Sequence, residues 1–306
     1  MANPKRTIEI IGVPSDLGAN VRGANMGPSA LRAAGLSERI QTLGFTVFDA
    51  GDVNVPVRET LSEQTQKDKF LPAIETLCRD LAFRTHRSLS EGRLPLIIGG
   101  DHSQAAGSIA GVHEYFSMRN ESFGLIWIDA HGDLNSPTTS PSGNIHGMPL
   151  ATLLGDGHKS LVGIGNQKMK LSPDKVALIG IRTLDAAEKE TVRRCGIRYF
   201  TMREIDERGM HSVMNEALAI VTNNTQGVHL SFDIDGIDPL YAPGVSTPVM
   251  GGLSYREAHL ALEMMADSGL IRSLEFVEVN PMTDNQHKTV DLTIELIQSA
   301  LGKTIV

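Results

Sequence analysis

The chain has 306 residues, of which 41% are hydrophobic and 21% charged, and its formal net charge is −8. This composition indicates a globular protein with a large core, and its acidity excludes nucleic acid and anionic membrane surfaces as expected partners. No stretch approaches the roughly 20 apolar residues of a membrane span or forms the core of a signal peptide. The two cysteines, Cys78 and Cys195, form no metal or redox motif, so we expect a cytoplasmic protein.

Short apolar segments alternate with longer amphipathic ones almost to the end of the chain. The apolar segments predict eight strands, at 7–11, 46–48, 94–98, 124–128, 176–181, 197–200, 228–232 and 271–277. The amphipathic segments predict helices at 28–43, 66–91, 104–116, 145–154, 185–195, 210–221, 255–265 and 288–301. This alternation predicts a parallel sheet covered by helices on both faces. Because no repeat or linker interrupts it, even across the glycine-rich segment 150–170, we expect one domain over residues 1–306.

The stretch after the predicted strand 124–128 carries three ligand-type side chains at alternate positions: Asp129, His131 and Asp133. In an extended backbone, alternate side chains lie on the same side, so these three can converge on one point. Two carboxylates and an imidazole that converge at a strand end favour a divalent metal. The alternative is a polar loop in which an aspartate caps a helix.

Two further strands end in similar side chains, where parallel sheets bind their ligands. His102 follows the strand 94–98, which we expect to lie next to the strand 124–128. Asp233 and Asp235 follow the strand 228–232, and two carboxylates this close repel each other unless a cation lies between them. A turn accounts for Asp238 before Pro239 but not for this pair.

The candidate metal ligands are therefore His102, Asp129, His131, Asp133, Asp233 and Asp235. Four carboxylates and two imidazoles are too many for one tetrahedral zinc ion. They suit two divalent ions that share carboxylates, and their oxygen and nitrogen atoms are acceptable to manganese and also to cobalt or nickel. Such a pair of ions activates water as a nucleophile near neutral pH.

Several motifs resemble the arginases of the ureohydrolase superfamily. They are GGDHS at 99–103, DAHGDLN at 129–135, SGNIHGMPL at 142–150, SFDIDGIDP at 231–239, TPVMGGLSYRE at 247–257, EVNP at 278–281 and RGANMGPSALRAAGL at 22–36. The resemblance spans nearly the whole chain in the family's order. It implies a three-layer α/β/α fold with a central, mainly parallel eight-stranded sheet.

The resemblance also implies an activity: hydrolysis of L-arginine to L-ornithine and urea by a hydroxide that bridges two Mn²⁺ ions. The matching positions imply that Asp133 orients the hydroxide, that His146 passes protons to the leaving amine and that Glu278 binds the guanidinium. The positions that match the family's substrate contacts are Asn135, Ser140, Ser142, Asp185, Glu188 and Thr247.

Other functions stay open at this point. A second ureohydrolase activity, on agmatine or a guanidino acid, would leave Asn135, Ser142 and Asp185 without an amino-acid head group to bind. A non-catalytic metal-binding relative is disfavoured because all six ligands are present. Gly132 departs from the larger residue that many arginases carry there. The resemblance implies a homo-oligomer, either a trimer or a hexamer, with Arg256 and Glu257 at positions often found at the subunit contact. We expect no long C-terminal tail.

Overall fold

The computed structural model describes residues 6–61, 68–165 and 171–304. Its strands are β1 (Ile8–Val13), β2 (Val47–Asp52), β3 (Leu94–Gly99), β4 (Gly124–Ile128), β5 (Val176–Ile181), β6 (Arg198–Thr201), β7 (Val228–Asp233) and β8 (Ile271–Val277). They form one eight-stranded sheet in the order β2-β1-β3-β8-β7-β4-β5-β6, in which every pair of neighbours is parallel. The predicted eight-stranded parallel sheet is confirmed.

The helices cover both faces of this sheet. They are α1 (Gly27–Ala33), α2 (Leu36–Gln41), α3 (Leu71–Ser90), α4 (Ala105–Ser117), α5 (Pro149–Leu153), α6 (Lys159–Val162), α7 (Ala186–Cys195), α8 (Met202–Arg208), α9 (Met210–Val221), α10 (Tyr255–Asp267) and α11 (Lys288–Ala300). In β4, Ile126 and Ile128 pack into a core with α1, α2 and α8 to α11. Leu125 and Trp127 point the other way, into a second core with α3 to α7. Strands buried on both faces explain why the apolar runs do not alternate with polar residues.

Three helix predictions are wrong in detail, and local backbone chemistry explains two of them. The predicted helix 28–43 is two helices, because Gly35 takes a left-handed conformation (φ 81°) between α1 and α2. The predicted helix 145–154 is a short 3₁₀ turn followed by α5, and the break falls before Pro149, whose ring disfavours helix in the preceding residue. The predicted helix 66–91 begins at Leu71, and residues 66–67 lie outside the described part of the chain. The short helices α6 and α8 were not predicted.

The strand order determines which loops can meet. The prediction that β3 and β4 are neighbours is wrong, because β8 and β7 lie between them. The carboxyl ends of β3, β8, β7, β4 and β5 nevertheless lie side by side along one edge of the sheet, and the predicted ligands lie at or just after the ends of β3, β4 and β7. None of the described helices combines the length and apolarity needed to span a bilayer.

Candidate metal centre and substrate cleft

The segment from Asp129 to Asp133 turns sharply instead of continuing β4. The backbone N–H of His131 donates to Asp129 Oδ1 at 2.7 Å, and Asp133 has a left-handed backbone with φ 51°. The extended backbone that was expected to bring Asp129, His131 and Asp133 to one point is therefore not observed. Asp133 lies beside His102 and His131 beside Asp235, and only Asp129 contacts both groups.

One set of donor atoms surrounds His102 Nδ1. Carboxylate oxygens of Asp133 and Asp233 lie 3.1 Å from it, and Asp129 Oδ2 lies at 3.3 Å. All four side chains are buried. The ring of His102 stacks on Trp127 with a centroid separation of 4.1 Å, which holds the imidazole plane against the sheet.

A second set surrounds His131 Nδ1. Asp235 Oδ2 lies 3.1 Å from it and Asp129 Oδ1 lies at 3.3 Å. Asp129 thus directs one oxygen to each set, while its Oδ2 also accepts the indole N–H of Trp127 at 3.0 Å. The arrangement is that of two adjacent cation sites that share a carboxylate.

The electrostatics of this cluster call for added positive charge. Burial would lower the pKa of His131, but Asp235 and Asp129 raise it to about 12. Burial and the neighbouring Asp129 raise the pKa of Asp133 to about 6. Burial, Asp235 and Asp129 likewise raise the pKa of Asp233 well above its ordinary value. Protons can supply part of the missing charge, and divalent cations supply more of it while displacing those protons.

The donor atoms themselves fit a metal. His102 Nδ1 and Asp133 Oδ2 are buried without a hydrogen-bond partner among the described residues, although buried polar atoms are almost always paired. Ligands at right angles around a cation, each about 2.1 Å from it, lie about 3.0 Å apart. The observed spacings of 3.1 to 3.3 Å are close to that value. All six predicted ligands thus belong to a cluster suited to two divalent ions.

A cleft of about 200 Å³ opens above the cluster, and the His146 side chain forms part of its wall. His146 Nδ1 lies 3.1 Å from Glu278 Oε1, which also accepts the backbone N–H of His102 at 3.0 Å. Burial would lower the pKa of His146, but the Glu278 carboxylate raises it to about 9. The second oxygen of Glu278, Oε2, is buried without a hydrogen-bond partner among the described residues.

Three predicted substrate residues also line the cleft: Asn135, Asp185 and Glu188. The Asn135 amide donates to Asp185 Oδ2 at 2.9 Å. Asp185 and Glu188 also form a capping box at the start of α7, which explains their spacing structurally. Asp185 Oδ1 accepts the backbone N–H groups that form the helix cap, whereas Oδ2 accepts the Asn135 amide. The cap therefore does not occupy Oδ2, the carboxylate oxygen on the side of Asn135.

Known proteins resemble this chain over nearly its whole length. The arginase family model matches residues 6–302. The chain is 48% identical to the arginase of Bacillus caldovelox over 301 residues, which is 98% of this chain and 99% of that relative. The chain belongs to the arginase family. The resemblance drawn from the motifs is therefore confirmed, and the protein is a ureohydrolase, a hydrolase of linear amidine C–N bonds.

Solved arginase structures share the fold. The arginase of Bacillus cereus superposes with a TM-score of 0.92 at 48% identity, covering 99% of this chain and 100% of that chain. The arginase of Entamoeba histolytica, solved in complex with L-ornithine, gives 0.90 at 31% identity, covering 97% of this chain and 98% of that chain. The similarity thus extends over the full sheet and the loops at its carboxyl edge.

The remaining arginase-like positions differ in how they meet the cleft. Thr247 lines it and donates to the predicted ligand Asp235 at 2.8 Å. Ser140 is buried and accepts the N–H of Gly143, whereas Ser142 is exposed and accepts the N–H of Asn144. Neither serine is among the residues that line the cleft, so their substrate roles stay predictions from the family resemblance.

Three residues at or next to this cleft were not predicted from the sequence. Gly147 and Thr183 line the cleft. Arg182 precedes Thr183, and its guanidinium donates to the backbone carbonyls of five residues, Gly180, Asp235, Gly236, Ile237 and Val249. It therefore joins the end of β5 to the loop that carries the predicted ligand Asp235. An arginine after a strand carries no sequence signal for that role.

Proposed function

We propose that this protein hydrolyses L-arginine to L-ornithine and urea with two divalent metal ions, manganese under physiological conditions. The observation that carries the proposal is the joint presence of two donor sets that share Asp129 and of His146, which lines the same cleft and pairs with the buried Glu278. Ions held there would supply a water-derived nucleophile near neutral pH. The ornithine complex of the Entamoeba histolytica arginase supports the choice of product.

Glu278 and His146 would act on the guanidinium end of the substrate. The unpartnered Oε2 of Glu278 is an acceptor for a guanidinium N–H, and a carboxylate matches that cation's geometry and charge. Because Nδ1 of His146 pairs with Glu278, its Nε2 is left to face the departing amine. Its contact with the Glu278 carboxylate, which raises the pKa of His146, favours the protonated imidazole that can donate this proton.

Asn135, Asp185 and Glu188 would bind the amino-acid end. Asp185 Oδ2 offers a negative charge to an α-ammonium group, and Asn135 offers a neutral polar group to an α-carboxylate in an acidic cleft. Asp133 would orient the nucleophile, since its buried Oδ2 faces the ligand His102.

Urea release from L-arginine and from agmatine, measured with added Mn²⁺ and after metal removal, tests the substrate. We expect metal-dependent turnover of arginine and little of agmatine, which lacks the α-carboxylate. Asp185→Asn should raise KM for arginine while changing KM for agmatine little. Faster turnover of agmatine than of arginine would contradict the proposal and favour a different ureohydrolase activity.

The proposal also includes manganese as the metal, a homo-oligomeric assembly and a cytoplasmic location, and each can be tested. Reconstitution with Mn²⁺, Co²⁺ or Ni²⁺ at equal occupancy, followed by the urea assay, tests the preference for manganese. Light scattering during size-exclusion chromatography separates a homotrimer from a homohexamer. We propose a cytoplasmic enzyme, which cell fractionation would test.

A further inference from the structure

A chain of hydrogen bonds leads from the metal centre into the sheet. His102 Nε2 lies 2.9 Å from Ser231 Oγ, and the Ser231 hydroxyl donates to Glu275 Oε1 at 2.8 Å. Ser231 and Glu275 are paired in register on the adjacent strands β7 and β8. All three side chains are buried, so solvent does not compete for these bonds.

Glu275 is held as a hydrogen-bond acceptor. Ser108 donates to its Oε2 at 2.6 Å, and His229 Nε2 lies 3.4 Å from Oε1. Burial would raise the pKa of Glu275, but His229, then His102 and Ser108, lower it below the ordinary value. A buried carboxylate costs stability relative to an apolar residue unless its partners compensate. A carboxylate at position 275, linked to the predicted ligand His102, therefore needs a functional explanation.

The proton count along the chain gives that reason. Ser231 has one proton, and donating it to Glu275 leaves its oxygen to accept the Nε2–H of His102. A neutral imidazole has only one N–H, so Nδ1 then directs its lone pair toward Asp129, Asp133 and Asp233. We propose that Glu275 is a positioning residue that fixes, through Ser231, the His102 tautomer required for metal binding. This inference rests on the metal centre of the proposed function.

Glu275→Gln tests the role of the carboxylate with little change of shape. An amide can present N–H groups to Ser231, which frees the Ser231 hydroxyl to donate to His102 Nε2 and favours the Nδ1–H tautomer. Glu9→Gln is a matched control, because Glu9 is also a fully buried strand carboxylate but pairs with Arg93 and lies on β1, which β3 separates from β8. Ser231→Ala removes the middle member of the hydrogen-bond chain while keeping Glu275. This variant is used in place of Glu275→Gln if Glu275→Gln does not fold.

Two measurements on the whole protein separate positioning from a structural role. Calorimetric titration of the metal-free protein with Mn²⁺ should show about a 10- to 100-fold weaker affinity at one site in Glu275→Gln, with the other within about twofold. ¹⁵N spectra of histidine-labelled, metal-free protein above the pH at which His102 deprotonates should show Nε2–H in the wild type and a shift toward Nδ1–H in the variant.

The results distinguish failure of the positioning role of Glu275 from failure of the proposed function. Unchanged Mn²⁺ affinities and an unchanged His102 tautomer in Glu275→Gln, or an equal loss of affinity in Glu9→Gln, would overturn the positioning role. The same two readouts decide the question for Ser231→Ala. Failure of the wild-type protein to bind Mn²⁺ at all would instead overturn the proposed function.

Discussion

Gly132 lies between the predicted ligands His131 and Asp133, and substitution there measures how tightly residues 129–133 pack against their neighbours. A Cβ added at Gly132 would lie 2.6 Å from Leu184 Cδ2 and 3.2 Å from Glu188 Oε1. Two carbon atoms prefer a separation of about 3.5 to 4.0 Å, so Leu184 would have to move by about 1 Å. Because the Leu184 side chain is only partly buried, it can move partly out of the way. The clash should therefore lower the free energy of unfolding by about 1 kcal/mol, the lower end of the usual range for overpacking.

A second effect of Gly132→Ala opposes this cost. Gly132 does not have a positive φ, so alanine fits its backbone and stabilises by about 0.4 to 1 kcal/mol through the unfolded chain. The two effects nearly cancel, and Gly132→Ala alone should change the free energy of unfolding by less than about 1 kcal/mol. Leu184→Val removes the clashing methyl group. In that background, Gly132→Ala should stabilise, which gives a coupling of about 1 kcal/mol between the two sites.

Urea denaturation of the wild type, both single variants and the double variant, at equal metal content, measures this coupling. Gly147→Ala is the control, because a Cβ there has no atom within 4 Å and only the unfolded-state effect should appear. Additivity of Gly132→Ala and Leu184→Val within about 0.5 kcal/mol would refute the clash with Leu184.

Further predictions concern the ligands and their supports. Asp133→Asn should lower the kcat for urea release by at least about 100-fold while leaving Tm within a few degrees; near-wild-type turnover would contradict its assigned role. In metal-free protein, Glu278→Gln should lower the pKa of His146, followed by NMR titration, from about 9 toward its ordinary value. Because folding raises the pKa of His146, its pairing with Glu278 adds to the free energy of unfolding in full below about pH 6.5, and this contribution is lost as the pH rises to about 9. Glu278→Gln should abolish this pH dependence. Arg182→Lys, with one ammonium in place of five carbonyl contacts, should destabilise by about 2 kcal/mol or more in denaturant unfolding. Mn²⁺ binding near pH 7 should release on the order of two protons from the ligand histidines, measured by calorimetry in buffers of different ionisation enthalpy.

The fold was predictable where residue type determines local backbone. All eight strands were found because buried parallel strands are nearly continuous runs of apolar residues, as in Leu125 to Ile128. The helix break at Gly35 was missed because an amphipathic pattern continues across a left-handed residue. The order of strands was not predictable, since two strands separated by β8 and β7 carry no local record of that separation.

The sequence indicated the candidate metal ligands for a reason that does not apply to the residues that support them. Aspartates and histidines at strand ends are costly without a cation, so their residue types alone indicate chemistry, even though the turn that joins Asp129 to Asp133 was not foreseen. Arg182 and Glu275 act through carbonyl groups and hydroxyls of other segments. Their partners are set by the strand order, which brings β7 between β8 and β4. A residue that works through such contacts looks, in sequence, like any other polar residue in or beside a strand, and only the assembled sheet distinguishes it.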